Sequence, residues 1–228
     1  MSQSFSLVDS LAVSDLQTYL SRAARVEEGS VRLIGGSGVL AVYSAILYPR
    51  GLLDRTPTVL GLRTFAIVAG VEFDAVVPIR SLLDRLARIG EALAAGTASD
   101  GPIEVRMPLE VSTVTWAGIS PPRGGWRPVG ETTFDLLERI AKGGIADVAE
   151  AVPTGTGEQL VQRVRAEVWG RPIDGLEYVP AGAAFAAESL GFLAADEPVS
   201  ILETGPWTRL TTRRGHILVR RQAWSLRG

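Results

Sequence analysis

Six arginines and one histidine crowd the stretch from Trp207 to Gly228, which holds no acidic side chain. Arginine neutralises phosphate or carboxylate and indole stacks on bases, so the interleaving with Trp207 and Trp224 suits a polyanion. Arg209, Arg213, Arg214, His216, Arg220 and Arg221 form the candidate contact to nucleic acid or to an acidic partner, with Arg213 and Arg214 at a hairpin tip. His216 is the sole histidine, and neighbouring guanidiniums oppose its protonation. No GxSxG run marks a nucleophile for it. A second candidate is a pocket at the domain junction, lined by Trp116, Arg123, Trp126 and Arg127 around a Pro/Gly-rich run.

Other signals are weaker. Gly35-Gly36-Ser37-Gly38 resembles a phosphate loop, but Val39–Tyr43 after it reads as a strand rather than a helix N-terminus, so a hairpin turn is the better reading. Glu72 and Asp74 share a strand face with no third ligand, which favours a solvated strand end over a metal site. The absence of cysteine excludes disulfides, thiol catalysis and cysteine-ligated metal, and a single histidine excludes any site that needs two. No catalytic, cofactor-binding or metal-ligating residue is assigned.

Composition bounds the rest. The chain has 228 residues, 23 basic against 25 acidic, for a formal net charge of −2. That balance does not announce a nucleic acid or a membrane. Only Lys142 is lysine, an arginine bias of the kind codon usage produces and no functional signal. With 46% hydrophobic residues and a mean hydropathy of +0.19 the chain can bury a core. Its longest apolar-leaning runs, such as Val39–Tyr48, are about half of a bilayer span, and MSQSFSLVDS reads as no secretory signal, so a cytoplasmic protein is expected.

The elements that would position these residues follow from period and punctuation. Ser14 with Gln17 reads as a capping box for a helix ending near Gly29. Strands are expected at 31–34, 39–48, 58–68 and 73–77, and the spacing of Ile79, Leu82, Leu86, Ile89 and Leu93 predicts a helix opened by Pro78. Extended segments at 103–107 and 111–116 complete an α+β domain over residues 1–118. Gly118–Gly130, dense in proline and glycine, reads as an irregular linker over 119–130, packed down by its tryptophans. Residues 131–228 then give three helices, the last (181–193) rich in Ala and Gly, and a two- or three-stranded hairpin. That order matches a winged helix-turn-helix, so the expected class is α+β with a winged-helix-like C-terminal half.

GISPPRGGWRPVGE, VQRVRAEVWGRPIDGLEYVPAGAAFAAESLGFL, WTRLTTRRGHILVRR and the helix VVPIRSLLDRLA resemble a family of uncharacterised actinobacterial proteins. That resemblance implies a bacterial cytoplasmic protein and carries no catalytic residue with it. Three readings stand. The favoured one is a non-enzymatic interaction or regulatory protein, able to pair as a homodimer through its apolar strand and its Ala/Gly helix. The alternative is DNA binding through the winged-helix-like half, disfavoured because the helices there carry few basic residues. The third is a cofactor-free small-molecule enzyme using the junction pocket.

Overall fold

The computed structural model describes residues 3–51, 53–96, 101–112, 114–118, 120–153, 155 and 157–221. Its strands are β1 (Ser4–Leu7), β2 (Ser30–Gly36), β3 (Val39–Leu47), β4 (Thr58–Ala66), β5 (Phe73–Pro78), β6 (Ile103–Arg106), β7 (Arg127–Thr132), β8 (Pro172–Ile173), β9 (Leu176–Pro180), β10 (Val199–Thr204), β11 (Trp207–Thr211) and β12 (His216–Arg220). Its helices are α1 (Ser10–Val26), α2 (Ile79–Ala94), α3 (Phe134–Ala151), α4 (Glu158–Gly170) and α5 (Ala181–Ser189). Eight strands hydrogen-bond in the order β5-β2-β3-β4-β12-β11-β10-β7, and β1-β6 and β8-β9 form separate pairs. The chain divides into two compact units, residues 1–44 with 62–118, and residues 45–61 with 119–228.

In the first unit, α1 and α2 pack side by side. Asp9, not Ser14, caps α1: its Oδ1 accepts from the Ala12 amide at 2.8 Å. Val13, Leu16, Leu20 and Ala23 then fall on the buried face, joined by Ile79, Leu82 and Leu86 of α2 and by Val31, Leu33, Leu40 and Val42 of the strands. Tyr19 sits fully buried among them and its hydroxyl meets Ser44 Oγ at 2.9 Å. Burial raises its pKa, with the Ser44 bond opposing the rise. The β2–β3 turn is a two-residue hairpin in which Ser37 and Gly38 take φ of 51° and 76°. This is the geometry such a turn needs, with no helix N-terminus behind it. Asp74, near the start of β5, is solvent-exposed and also ion-paired. It receives Arg32 Nε at 2.7 Å and Nη2 at 2.6 Å, while Arg32 Nη1 donates to the Ala117 carbonyl at 2.7 Å. The Asp74 hydrogen bond raises the Arg32 pKa. A 3-10 turn over Thr115–Gly118 takes in the end of the segment 111–116, expected to be extended, and buries Trp116.

The second unit is not winged-helix-like. The β11–β12 hairpin is no free wing: both strands lie inside the ladder, β12 beside β4 and β11 beside β10. Strand β7, in the stretch expected to hold no regular structure, pairs antiparallel with β10, with a register shift between Ile201 and Leu202. Nor is α5 a recognition helix. Ala181, Gly182, Ala183, Ala184, Ala186 and Ala187 are all buried, so it is a core element on nearly every side. A Cβ on Gly182 would lie 3.0 Å from the Trp169 carbonyl oxygen, which is why this position has no side chain. Helix α3 runs unbroken through Gly143-Gly144, and Gly144 is buried against the Trp169 ring. Trp169 in turn stacks on Phe185 at 4.2 Å.

Candidate functional site

The C-terminal arginines do not share one surface; the structure sends them to three places. Register puts Thr211 opposite His216, Arg209 opposite Leu218, and Trp207 opposite Arg220, so these pairs lie on one face of the β11–β12 ladder. Arg209 is half-buried there under Trp126, its guanidinium 4.5 Å from the ring centroid. Its Nε is buried with no hydrogen-bond partner, and burial lowers its pKa. His216, with Nδ1 3.1 Å from Thr211 Oγ1, belongs to the same cluster. Burial, and then the charge of Arg209, push its pKa down to about 4. The imidazole is therefore neutral near pH 7 and is no exposed wing cation.

The turn between the two strands is tied by Thr212, whose Oγ1 accepts from the Arg214 and Gly215 amides at 3.2 and 3.3 Å. This fixes Arg213 and Arg214 at the tip. Arg213 is 86% exposed and reaches Glu197 at 3.6 Å, a pair that contributes at most about 1 kcal/mol in water.

Arg220 and Arg221 go to the third place, a groove of the second unit with a volume of about 650 Å³. Its walls come from the loop after β3, the end of α4, the β8–β9 pair and the end of β12, and they include Asp54, Arg55, Pro57, Glu167, Arg171, Tyr178, Arg220 and Arg221. A recess of about 560 Å³ continues it past Pro49 and Pro206, sharing Asp54, Arg55, Tyr178, Arg220 and Arg221. Asp54 builds the loop. It accepts from the Arg50 amide at 2.8 Å and from the Thr56 amide and hydroxyl at 2.9 and 2.5 Å. Desolvation alone would raise its pKa, but these bonds outweigh it and hold the carboxyl below its ordinary value. Arg221 is fixed by Glu203 at 3.1 Å and by the Gly205 carbonyl, and its guanidinium lies 5.7 Å from the Tyr178 ring centroid. Arg171 is held by Asp147 at 2.7 Å and Glu167 at 3.7 Å. Arg220 is exposed and makes no ion pair among the described residues.

Of the sequence-derived candidates, the structure thus brings together Arg209 with His216, and Arg220 with Arg221. Arg227 and Trp224 lie outside the described residues. For the junction candidates, Trp116 is buried in the first unit, while Arg123, Trp126 and Arg127 belong to the second, with both arginines exposed. None of the four lines the groove. Sequence reasoning missed Arg55, Arg171 and Tyr178, whose one legible signal was turn-rich segments carrying arginine and an aromatic. Among the described residues no group of three or more His, Asp or Glu is placed to hold a metal ion, and no helix is long and apolar enough to cross a membrane.

Two domain families match the sequence, both described as domains of unknown function: DUF8010 over residues 1–105 and DUF8185 over residues 121–224. No curated protein sequence matches. Among solved structures, the fold is similar to the Caulobacter crescentus polymerase III beta subunit, at 10% identity and a TM-score of 0.51, covering 98% of this chain and 67% of that one. It is similar to the Bartonella birtlesii DnaN sliding clamp bound to griselimycin, at 10% identity and a TM-score of 0.51, covering 99% and 66%. A putative polymerase III beta subunit from Eubacterium rectale gives 9% identity and a TM-score of 0.51, covering 97% and 65%. The fold is therefore that of a sliding clamp, and the chain spans about two thirds of the length of those clamps. The expectation that nucleic acid is the disfavoured partner finds no support in this likeness.

Proposed function

We propose that this chain is a non-enzymatic, clamp-like scaffold that associates with DNA, acts in the cytoplasm and does so as more than one copy. The observation that supports this reading is the clamp fold itself, matched over 97–99% of the chain. A protein that slides on a duplex must hold it without tight contacts to phosphates or bases, so topology rather than affinity keeps it there. The charge distribution suits that mode: a net charge of −2, and C-terminal arginines divided between a half-buried cluster, an exposed tip and a groove. Strong non-specific binders need many converging phosphate contacts instead. Enclosing a duplex with a chain shorter than a known clamp subunit requires copies to close on one another, as symmetric oligomers do.

Gel filtration with a nicked circular plasmid and with the same plasmid cut once tests the reading, alongside sedimentation for the number of copies. The expected result is co-elution with the circle, loss on cutting, little dependence on salt between about 50 and 200 mM, and a species larger than the monomer. The double change R213A/R214A should leave retention on circles within about twofold, since the tip would make at most two phosphate contacts. A monomer at every concentration with no retention on circles would overturn the proposal. Equal binding to circular and linear DNA, with a salt slope that flattens by about two in the double variant, would also overturn it, in favour of direct phosphate binding by the hairpin.

A further inference from the structure

We propose that Arg209, roofed by Trp126 on the face of the sheet that also carries His216, is a binding site for a carboxylate on an apolar body. The proposal stands on this cluster of the second unit and not on the clamp likeness.

Arg209 is a half-buried cation that its own chain leaves unmatched. Arg32, Arg63 and Arg221 are half-buried too, and each meets a carboxylate of its own unit: Asp74, Asp15 and Glu203. Arg209 makes no ion pair and no side-chain hydrogen bond among the described residues, and burial alone acts on its pKa. Register explains why. Leu202 of β10 and Leu218 of β12 stand on either side of it, while Glu203 lies opposite Thr208 and so on the other face. Glu131 shares the face of Arg209 by register but stands on β7, two strands from β11, and does not pair with it. His216, neutral near pH 7, adds no second charge.

The guanidinium is also presented in a defined way. Trp126 lies over it at 4.5 Å, and the indole is held by its Nε1, which donates to the Pro122 carbonyl at 3.2 Å. The loop behind the indole lies down on the sheet, where a Cβ on Gly125 would stand 3.3 Å from Thr204 Oγ1. Of the three guanidinium nitrogens Nε is sealed, whereas the two Nη atoms keep access to solvent. A carboxylate can therefore accept from both Nη atoms at once, in the planar two-bond pairing that an ammonium cannot make. Beside it the indole and the half-buried Leu202 offer surface to an apolar group. One guanidinium matches one negative charge; a phosphate backbone carries a charge on every nucleotide and needs several converging cations.

Proton NMR of the full chain tests this, with its single histidine as reporter. The probes are sodium phenylacetate, its uncharged analogue phenylacetamide, inorganic phosphate, and N-acetylglutamate with its α-carboxyl amidated. Phenylacetate should bind with a dissociation constant on the order of 1 mM and shift the His216 Hε1 resonance. It should also raise the His216 titration midpoint part of the way to 6.5, because a carboxylate on Arg209 offsets the guanidinium's repulsion. Phenylacetamide and phosphate should bind at least about tenfold more weakly. The glutamate amide distinguishes the source of the carboxylate. Affinity at or above that of phenylacetate assigns the site to an acidic side chain of a partner protein, and lower affinity assigns it to a free carboxylic acid. Arg209→Gln should abolish the shift. Arg209→Lys, which keeps the charge, should weaken binding by about fivefold or more, since the ammonium lacks the paired donors. Arg127→Gln, at an exposed arginine of the same unit, should change nothing. Phenylacetamide or phosphate binding as tightly as phenylacetate, unchanged binding in Arg209→Lys, or a His216 resonance that no probe moves would each overturn the proposal.

Discussion

Replacing Trp169 by alanine is expected to cost about 3–5 kcal/mol of unfolding free energy, the range for removing a buried indole from a packed core. The ring is 2% exposed and stacks on Phe185 at 4.2 Å and 17°. Its other constraint is Gly144, in the middle of α3. A Cβ there would stand 2.2 Å from Trp169 Cζ3 and 2.6 Å from Cη2, so Gly144→Ala forces the indole to move and should cost about 1–3 kcal/mol. That clash works against the roughly 1 kcal/mol by which alanine improves on glycine inside a helix. In the Trp169→Ala background the clash is gone, and Gly144→Ala should then stabilise by about 0.5–1 kcal/mol. The sign reversal distinguishes a helix built around one side chain from a glycine that merely weakens it. Urea unfolding of the wild type, both single variants and the double variant measures it, and equal losses from Gly144→Ala in the two backgrounds would show that Trp169 is not what keeps the position bare.

The same glycine shows where sequence and structure part. The Ala/Gly content of 181–193 leaves room for another backbone, and α5 meets the Trp169 backbone at Gly182. The periodicity of α2 and the Ser37-Gly38 turn were likewise legible, because a helix stripe and a two-residue hairpin are local and each residue carries the signal. The sheet was not. Three helices followed by a hairpin describes this half and a winged helix equally well. What separates them is β12 lying beside β4 and β10 beside β7, pairings between segments far apart in the chain that leave no mark on local pattern. Strand β7 was hidden by Pro128 and Gly130, which argue against a strand anywhere except the place it occupies. It is the last in the ladder, where proline is tolerated, and Pro128 sits beside the register shift. The groove was illegible for a related reason. Its arginines come from positions 55, 171, 220 and 221, and only the last two belonged to a visible charge cluster. That cluster, so clear in sequence, is spread along the length of the β11–β12 ladder, with two of its arginines at the turn and two at the far end.

Acidification should expose the other consequence of that dispersal. His216 titrates near 6.5 when unfolded and about 4 when folded, because burial and Arg209 disfavour the imidazolium. The folded value is the depressed one, so the unfolded chain takes up a proton first as pH falls. Stability from this group is present above the unfolded value and is lost as pH falls from about 6.5 towards 4. The group is only partly buried, so the loss is expected at about 1–2 kcal/mol rather than the full linkage of the shift. With a single histidine in the chain, its Hε1 resonance reports the midpoint without ambiguity, and it should lie well below 6. Denaturant unfolding at pH 7.0, 6.0 and 5.0 should show a stability slope in the wild type that His216→Gln reduces, since the carboxylates common to both proteins cancel in the difference. Arg209→Ala should raise the midpoint part of the way to 6.5, leaving the larger contribution of burial in place. A midpoint at or above 6.5, or an identical slope in His216→Gln, would mean that the imidazole is solvated. In that case the half-buried Arg209–His216 packing on β11 and β12 would not be what depresses the imidazole.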